Sequence, residues 1–141
     1  MLQFNQVISK LQKRVDAYPK FIEEEAIDSS KEFEEETIDA NTAKLDQGID
    51  TNGTSLGTYA SIAYKGRLQP VDLKLTGDFR GGIEGRYGKK EFELIGTDSK
   101  TDELQDKYGE PIIGVPNDFL PELVSLITPD LQDKSIMYFG S

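Results

Sequence analysis

TSLGTYASIAYKGRLQPVDLKLTGDF, residues 54–79, decides how the rest of the chain is read. The stretch is long, polar and glycine-bearing. Its apolar residues (Tyr59, Ile62, Tyr64, Leu68, Val71, Leu73, Leu75) are too few for a core. It lacks the monotony of a Ser/Gly linker, and a connection this long inside a small domain is usually functional or disordered. The aromatic and aliphatic side chains favour an ordered arm lying on a surface, of its own domain or of another subunit. The residues before it carry a helical pattern, and those after it a hairpin pattern.

On the N-terminal side, Phe4, Ile8, Leu11, Val15, Tyr18 and Ile22 step by four, three, four, three and four, a helical stripe. Pro19 interrupts it, and the residue before a proline is pushed out of helical dihedrals, so one helix is expected to end or kink near Tyr18. A second is expected over about residues 20–45, closed by Gly48. Asp50-Thr-Asn-Gly53 is turn chemistry. It echoes the centre of a calcium loop, but Gly48 and Tyr59 stand where the first and last carboxylates are needed, so no metal site is expected.

On the C-terminal side, Ile83 to Tyr87 and Glu91 to Ile95 flank a glycine-led three-residue loop, Gly88-Lys-Lys90, and read as a hairpin. Gly82, Gly85 and Gly88 are spaced GxxGxxG, which is not the dinucleotide fingerprint, and they read as strand and turn glycines. Thr97-Asp-Ser99 precedes a helix predicted over 100–108 and stopped by Gly109 and Pro111. A last helix, capped by Asn117 or Asp118, is predicted over about 119–127. Phe119, Leu120, Leu123, Val124 and Ile127 form its apolar stripe, and residues 130–141 read as a strand or a loose end. The whole is predicted to be one α+β domain, residues 1–141, with N-terminal helices packed on a small antiparallel sheet and a long ordered arm. Residues 1–50 form its helical region, 51–80 the extended arm, and 81–141 the hairpin plus C-terminal helices.

The composition removes most catalytic chemistry. The chain has no cysteine and no histidine, which excludes thiol nucleophiles, zinc-thiolate sites and the familiar hydrolase triads. A GxxxxGK[ST] phosphate loop is absent too. No catalytic, cofactor-binding or metal-binding residue is therefore expected. No apolar run approaches the roughly 20 residues of a membrane span, and the first residues lack a signal-peptide core.

Charge is uneven. Residues 1–15 carry Lys10, Lys13 and Arg14 with no acid, residues 16–50 sum to −9, and residues 65–90 are locally +4 within a chain of −10. Glu23, Glu24 and Glu25, and Glu32, Glu34, Glu35 and Glu36, read first as a solvated helix face. A rival reading makes them phosphate substitutes of an acidic, DNA-mimicking inhibitor of a nucleic-acid-binding enzyme. A mimic has no reason to keep a basic arm.

Acidic amphipathic helices, then Gly53-x-Ser55-Leu56-Gly57-x-Tyr59, then Tyr64-Lys65 in an aromatic and basic stretch, then Leu75-Thr-Gly77, then a hairpin: this order resembles small virion-morphogenesis proteins of tailed bacteriophages. Lys107-Tyr-Gly109 and Ile113-Gly114 are similar to the same proteins, and the resemblance spans about residues 45–115. Such proteins follow the Leu-Thr-Gly step with a polar helical turn ending in Ser-Ile, where this chain has Asp78-Phe-Arg-Gly-Gly-Ile83. The resemblance implies a non-enzymatic structural protein acting in head–tail joining or tail completion. Its partners would be other virion proteins of the neck and tail, and it would form a homo-oligomeric ring or copies bound to a ring. It implies a virion location after assembly in the host cytoplasm, without direct nucleic-acid or membrane contact. On this reading Tyr59, Tyr64 and Leu68 anchor the arm on a neighbour, and Arg67, Lys74 and Arg80 face acidic surface. Gly53, Gly57, Leu75, Thr76 and Gly77 make the structural turns.

Overall fold

The computed structural model describes residues 4–57, 71–74 and 77–140. The first helix, α1, spans Phe4–Lys31 and passes through Pro19 without ending at Tyr18 as expected. Proline inside a helix removes one backbone bond and costs about 3 kcal/mol or more. Packing on both sides of it offsets that cost. Tyr18 and Phe21 lie against Tyr138 and Phe139 of the last helix, with ring centroids 5.0 Å apart for Tyr18–Phe139 and 4.4 Å for Phe21–Tyr138.

The break comes later, at Glu32 and Phe33. There the amides of Glu32 and Phe33 donate three residues back, to the Ser29 and Ser30 carbonyls, at 3.2 and 3.1 Å. The Ser30 hydroxyl donates to the Ala26 carbonyl at 2.8 Å, and the Ser29 hydroxyl donates to the Asp130 carboxylate. Serine side chains that bond backbone or distant groups weaken a helix from within.

The second helix, α2, spans Glu34–Asp46, with three glutamates in its first turn, where the helix dipole favours them. It ends at Gly48, as expected. Gly48 has φ +73°, its amide bonds the Leu45 carbonyl at 2.9 Å, and the Ile49 amide bonds the Lys44 carbonyl at 3.1 Å, a Schellman motif. Thr37, Asn41 and Leu45, one turn apart, are its buried face. Asn41 fastens that face to the chain beyond the hairpin: its amide donates to the Ile112 carbonyl at 2.9 Å, and its oxygen accepts from the Gly114 amide at 3.2 Å.

A short helix, α3 (Asp78–Gly81), leads into the hairpin of β1 (Ile83–Tyr87) and β2 (Phe92–Gly96), paired antiparallel from Ile83 opposite Gly96 to Tyr87 opposite Phe92. The connecting loop holds four residues, one more than expected, because Gly88 and Glu91 close it with a 2.8 Å backbone bond. Then come α4 (Thr101–Tyr108), a 3-10 turn (Glu110–Ile112) and α5 (Leu120–Gly140). The reading of residues 130–141 as a strand or loose end is corrected: α5 continues through Pro129 to Gly140. Partners on α1 hold it. Asp130 meets Ser29, Lys134 meets Glu25 at 2.9 Å, Ser135 meets Tyr18 at 2.6 Å, and the Tyr138 hydroxyl donates to the Arg14 carbonyl at 2.8 Å. Residue numbers fall on α5 as they rise on α1, so the two helices run antiparallel.

Two apolar clusters fill the interior of this α+β fold. The larger joins Leu45, Val71, Leu73, Phe79, Ile83, Leu94, Leu104, Ile112 and Ile113. The smaller joins Phe119, Leu123 and Ile127 to Ala26, Phe33 and Ala40. Phe92 packs against both, so the hairpin is the wall between them. Leu120 and Val124, expected on the same stripe as Leu123, face outward.

Candidate protein interface

Most of the arm expected to contact a neighbour, with Tyr59, Tyr64, Arg67 and Leu68, lies outside the described residues, as do Leu75 and Thr76. Gly57 and Val71, which bracket the longer of these stretches, are joined by a 2.9 Å bond from the Val71 amide to the Gly57 carbonyl. The expectation that residues 54–79 hold too few apolar residues for a core is corrected at their end. Val71 and Leu73 are 2% and 1% exposed in the larger cluster. The signal was present in the alternation Val71-Asp-Leu73-Lys, which puts the apolar side chains on one face of an extended segment. Leu73 reaches its place at φ +59°, a left-handed conformation that a leucine holds only when its surroundings impose it. Gly53, Gly57 and Gly77 have φ of +85°, +89° and +89°, so each supplies a backbone turn unfavourable to other residues.

The two described cations of the arm pair within their own chain. The Arg80 guanidinium donates to the Asp46 carboxylate and to the Thr42 carbonyl, both at 2.9 Å, and its side chain is 13% exposed. Lys74 sits 3.6 Å from the same carboxylate and is more than half exposed. Both therefore hold the acidic C-terminal end of α2 within their own chain, where helix carbonyls also favour a cation.

The acidic runs are divided in the same way. Glu25 pairs with Lys134, and that pairing raises the lysine pKa: the side-chain hydrogen bond contributes most, then the carboxylate charge. One Glu34 oxygen accepts from the Tyr87 hydroxyl at 2.7 Å and from the Gly85 amide at 3.1 Å. A Cβ at Gly85 would lie 2.2 Å from that oxygen, so any larger residue there would have to displace the Glu34 carboxylate. The Tyr87 ring stacks on Phe92 at 5.2 Å, with the Lys31 ammonium 5.4 Å from its centroid. Partial burial, then the Glu34 hydrogen bond and charge, push the Tyr87 pKa well above its ordinary 10.0. A raised pKa contributes stability in full below the unfolded value and loses it as pH climbs towards the folded value. In an alkaline titration followed by phenolate absorbance, one of the six tyrosines should therefore lag until the fold opens. Tyr87→Phe should remove the lag; a lag that survives in this variant would refute the assignment.

Asp50, in the calcium-like turn, accepts from the Asn52 and Thr54 amides, both at 2.9 Å, as an Asx turn. Among the described residues no group of three or more His, Cys, Asp or Glu side chains is gathered to hold a metal ion, and no helix is long and apolar enough to cross a membrane.

What stands open is apolar surface. On α1, Val7, Ile8, Leu11 and Val15 are 37–55% exposed, and on α5 Leu120, Val124, Ile136, Met137 and Phe139 are 45–71% exposed. Sequence reasoning placed Ile8, Leu11 and Val15, but not Val7, on a helical stripe without deciding what that stripe faces. The available signal was the absence of any acid among residues 1–15, which sets those turns apart from the rest of the helix. Comparison with protein-family models, curated proteins and solved structures found no match to this chain.

Proposed function

We propose that this chain is a non-enzymatic structural protein of a tailed phage or prophage particle, acting in head–tail joining or tail completion at the neck through contacts with other proteins. The observation that carries the reading is the exposed apolar surface of α1 and α5, left open beside two filled clusters. Exposed apolar surface of this kind marks sites of association. The particle class rests on the sequence resemblance, and the positive φ of Gly53, Gly57 and Gly77 agrees with their reading as structural turns.

In this reading the partners are neck and tail proteins, met as a ring or as copies bound to a ring. Tyr59, Tyr64 and Leu68 anchor the arm there. Arg67 and the half-exposed Lys74 meet acidic surface, while Arg80 steadies the base of the arm on α2. A DNA-mimicking role is the weaker reading, because Glu25 and Glu34, from the two acidic runs, are engaged within the chain.

Co-sedimentation with candidate neck and tail proteins tests it. Arg67→Glu with Lys74→Glu should weaken the association severalfold, since rim charges steer and register an interface. Losing the Lys74–Asp46 pair adds little, because exposed pairs are worth about 0–1 kcal/mol. Unchanged co-sedimentation, together with wild-type inhibition of a DNA-binding enzyme that Glu35→Gln and Glu36→Gln abolish, would establish the mimic instead.

A further inference from the structure

Two surfaces of this molecule complement one another but cannot meet within one chain. The first is the leading end of α1. Ile8, Leu11, Val15, Tyr18 and Ile22 continue one stripe, and its lower part is engaged by α5 through Tyr18 and Ser135. The upper part is not. The described end of α5 meets α1 at the Arg14 carbonyl, through Tyr138. Ile8, Leu11 and Val15 are 51–55% exposed on these turns, and every described side chain from residue 5 to residue 17 is exposed. About ten helical residues without packing are marginal in water. Lys10 and Arg14 flank Leu11 on the same turns, and with Val7 and Lys13 they line one shallow pocket. These fifteen residues carry +3, so the remainder of the chain carries −13.

The second surface is a groove of about 560 Å³ between α1 and α5, lined by Tyr18, Ile22, Leu131, Asp133 and Ile136 among others, with no base in its lining. Ile136 is 71% exposed there, and the Asp133 side chain is open.

We propose that residues 7–15 of α1 seat in the α1–α5 groove of a second copy of this chain. Leu11 and Val15 cover Ile22, Leu131 and Ile136, completing a packed helix layer. Lys10 and Arg14, which flank Leu11 on the helix, face Asp133, the carboxylate of the groove lining. Charge complementarity selects this occupant: the one basic helical end in the described chain meets a groove that offers a carboxylate and no cation. Tail and groove are different patches, so the contact closes either as a reciprocal pair or as a ring. The inference does not rest on the particle reading, and purified protein tests it without neck or tail proteins.

The chain has no cysteine, so engineered thiols report cleanly. Leu11→Cys protein mixed with Gln132→Cys protein should form a disulfide between the two different chains under mild oxidation. Failure to cross-link, or preferential Leu11→Cys self-pairing, overturns the proposal. By native mass the wild type should associate. Ile8→Glu with Leu11→Glu should be monomeric, losing at most the helical circular dichroism of the first turns of α1, with a melting temperature that no longer depends on protein concentration. A monomeric wild type overturns the proposal, as does a double variant that associates like the wild type. Asp133→Asn supplies a sign test. It reduces the net negative charge, so general repulsion between −10 chains predicts tighter association. Local pairing predicts association weaker by roughly two- to fivefold. Tighter association overturns the proposal. So does flotation on anionic phosphatidylglycerol vesicles by a protein that stays monomeric.

Discussion

Phe79→Ala should destabilise the fold by about 3–5 kcal/mol, the range for removing a buried aromatic side chain. Phe79 is 2% exposed and heads the largest fully buried side chains. It projects from α3, a single turn with little stability of its own, into the cluster formed by Leu45, Val71, Leu73, Ile83 and Leu94. Truncation there leaves a cavity bordered by α2, the end of the arm and both strands, elements that cannot all close in together. Natural domains have only about 5–15 kcal/mol of net stability, so the loss is a large share of it. Denaturant unfolding should show the midpoint falling with little change in slope. A loss under about 1 kcal/mol would mean that this side chain is not central to the core. Should the alanine variant not fold, Phe79→Leu should fold with a smaller loss.

Leu123→Ala comes second, at about 2–5 kcal/mol. Leu123 is 6% exposed between Phe119 and Ile127, in the cluster that fastens α5 to α1, α2 and Phe92. Its neighbour Val124 is 57% exposed, so Val124→Ala should stay within about 0.5 kcal/mol of wild type. The pair of measurements reads the rotation of α5 about its axis. Comparable losses at both sites, or a larger loss at Val124, would place the buried face of the helix elsewhere.

The elements legible in the sequence were those that local chemistry specifies. The hairpin announced itself through alternation around a glycine, and the stop of α2 at Gly48 needed only a residue tolerant of positive φ. The Asp98 carboxylate accepting the Lys100 amide at 3.0 Å, just before α4, is likewise a contact between near neighbours. The candidate interface was legible only in part. The charge step at residue 15 marked the end of α1 as different, but not whether α5 would cover it.

Sequence by itself thus determined the class of the fold, the stop of α2 at Gly48, the existence of the hairpin and the absence of cysteine and histidine chemistry. The tertiary structure alone decided that α1 runs through Pro19, that α5 runs through Pro129, and that Glu34 turns inward to Tyr87 and Gly85. Each of these depends on a partner distant in sequence. Fifty-one and fifty-three residues separate Glu34 from Gly85 and Tyr87, and well over a hundred separate Tyr18 from Ser135. Local propensities of a few tenths to a few kcal/mol forecast an element until packing of comparable or larger size overrides them. That packing exists only once the chain has brought α1 and α5 side by side.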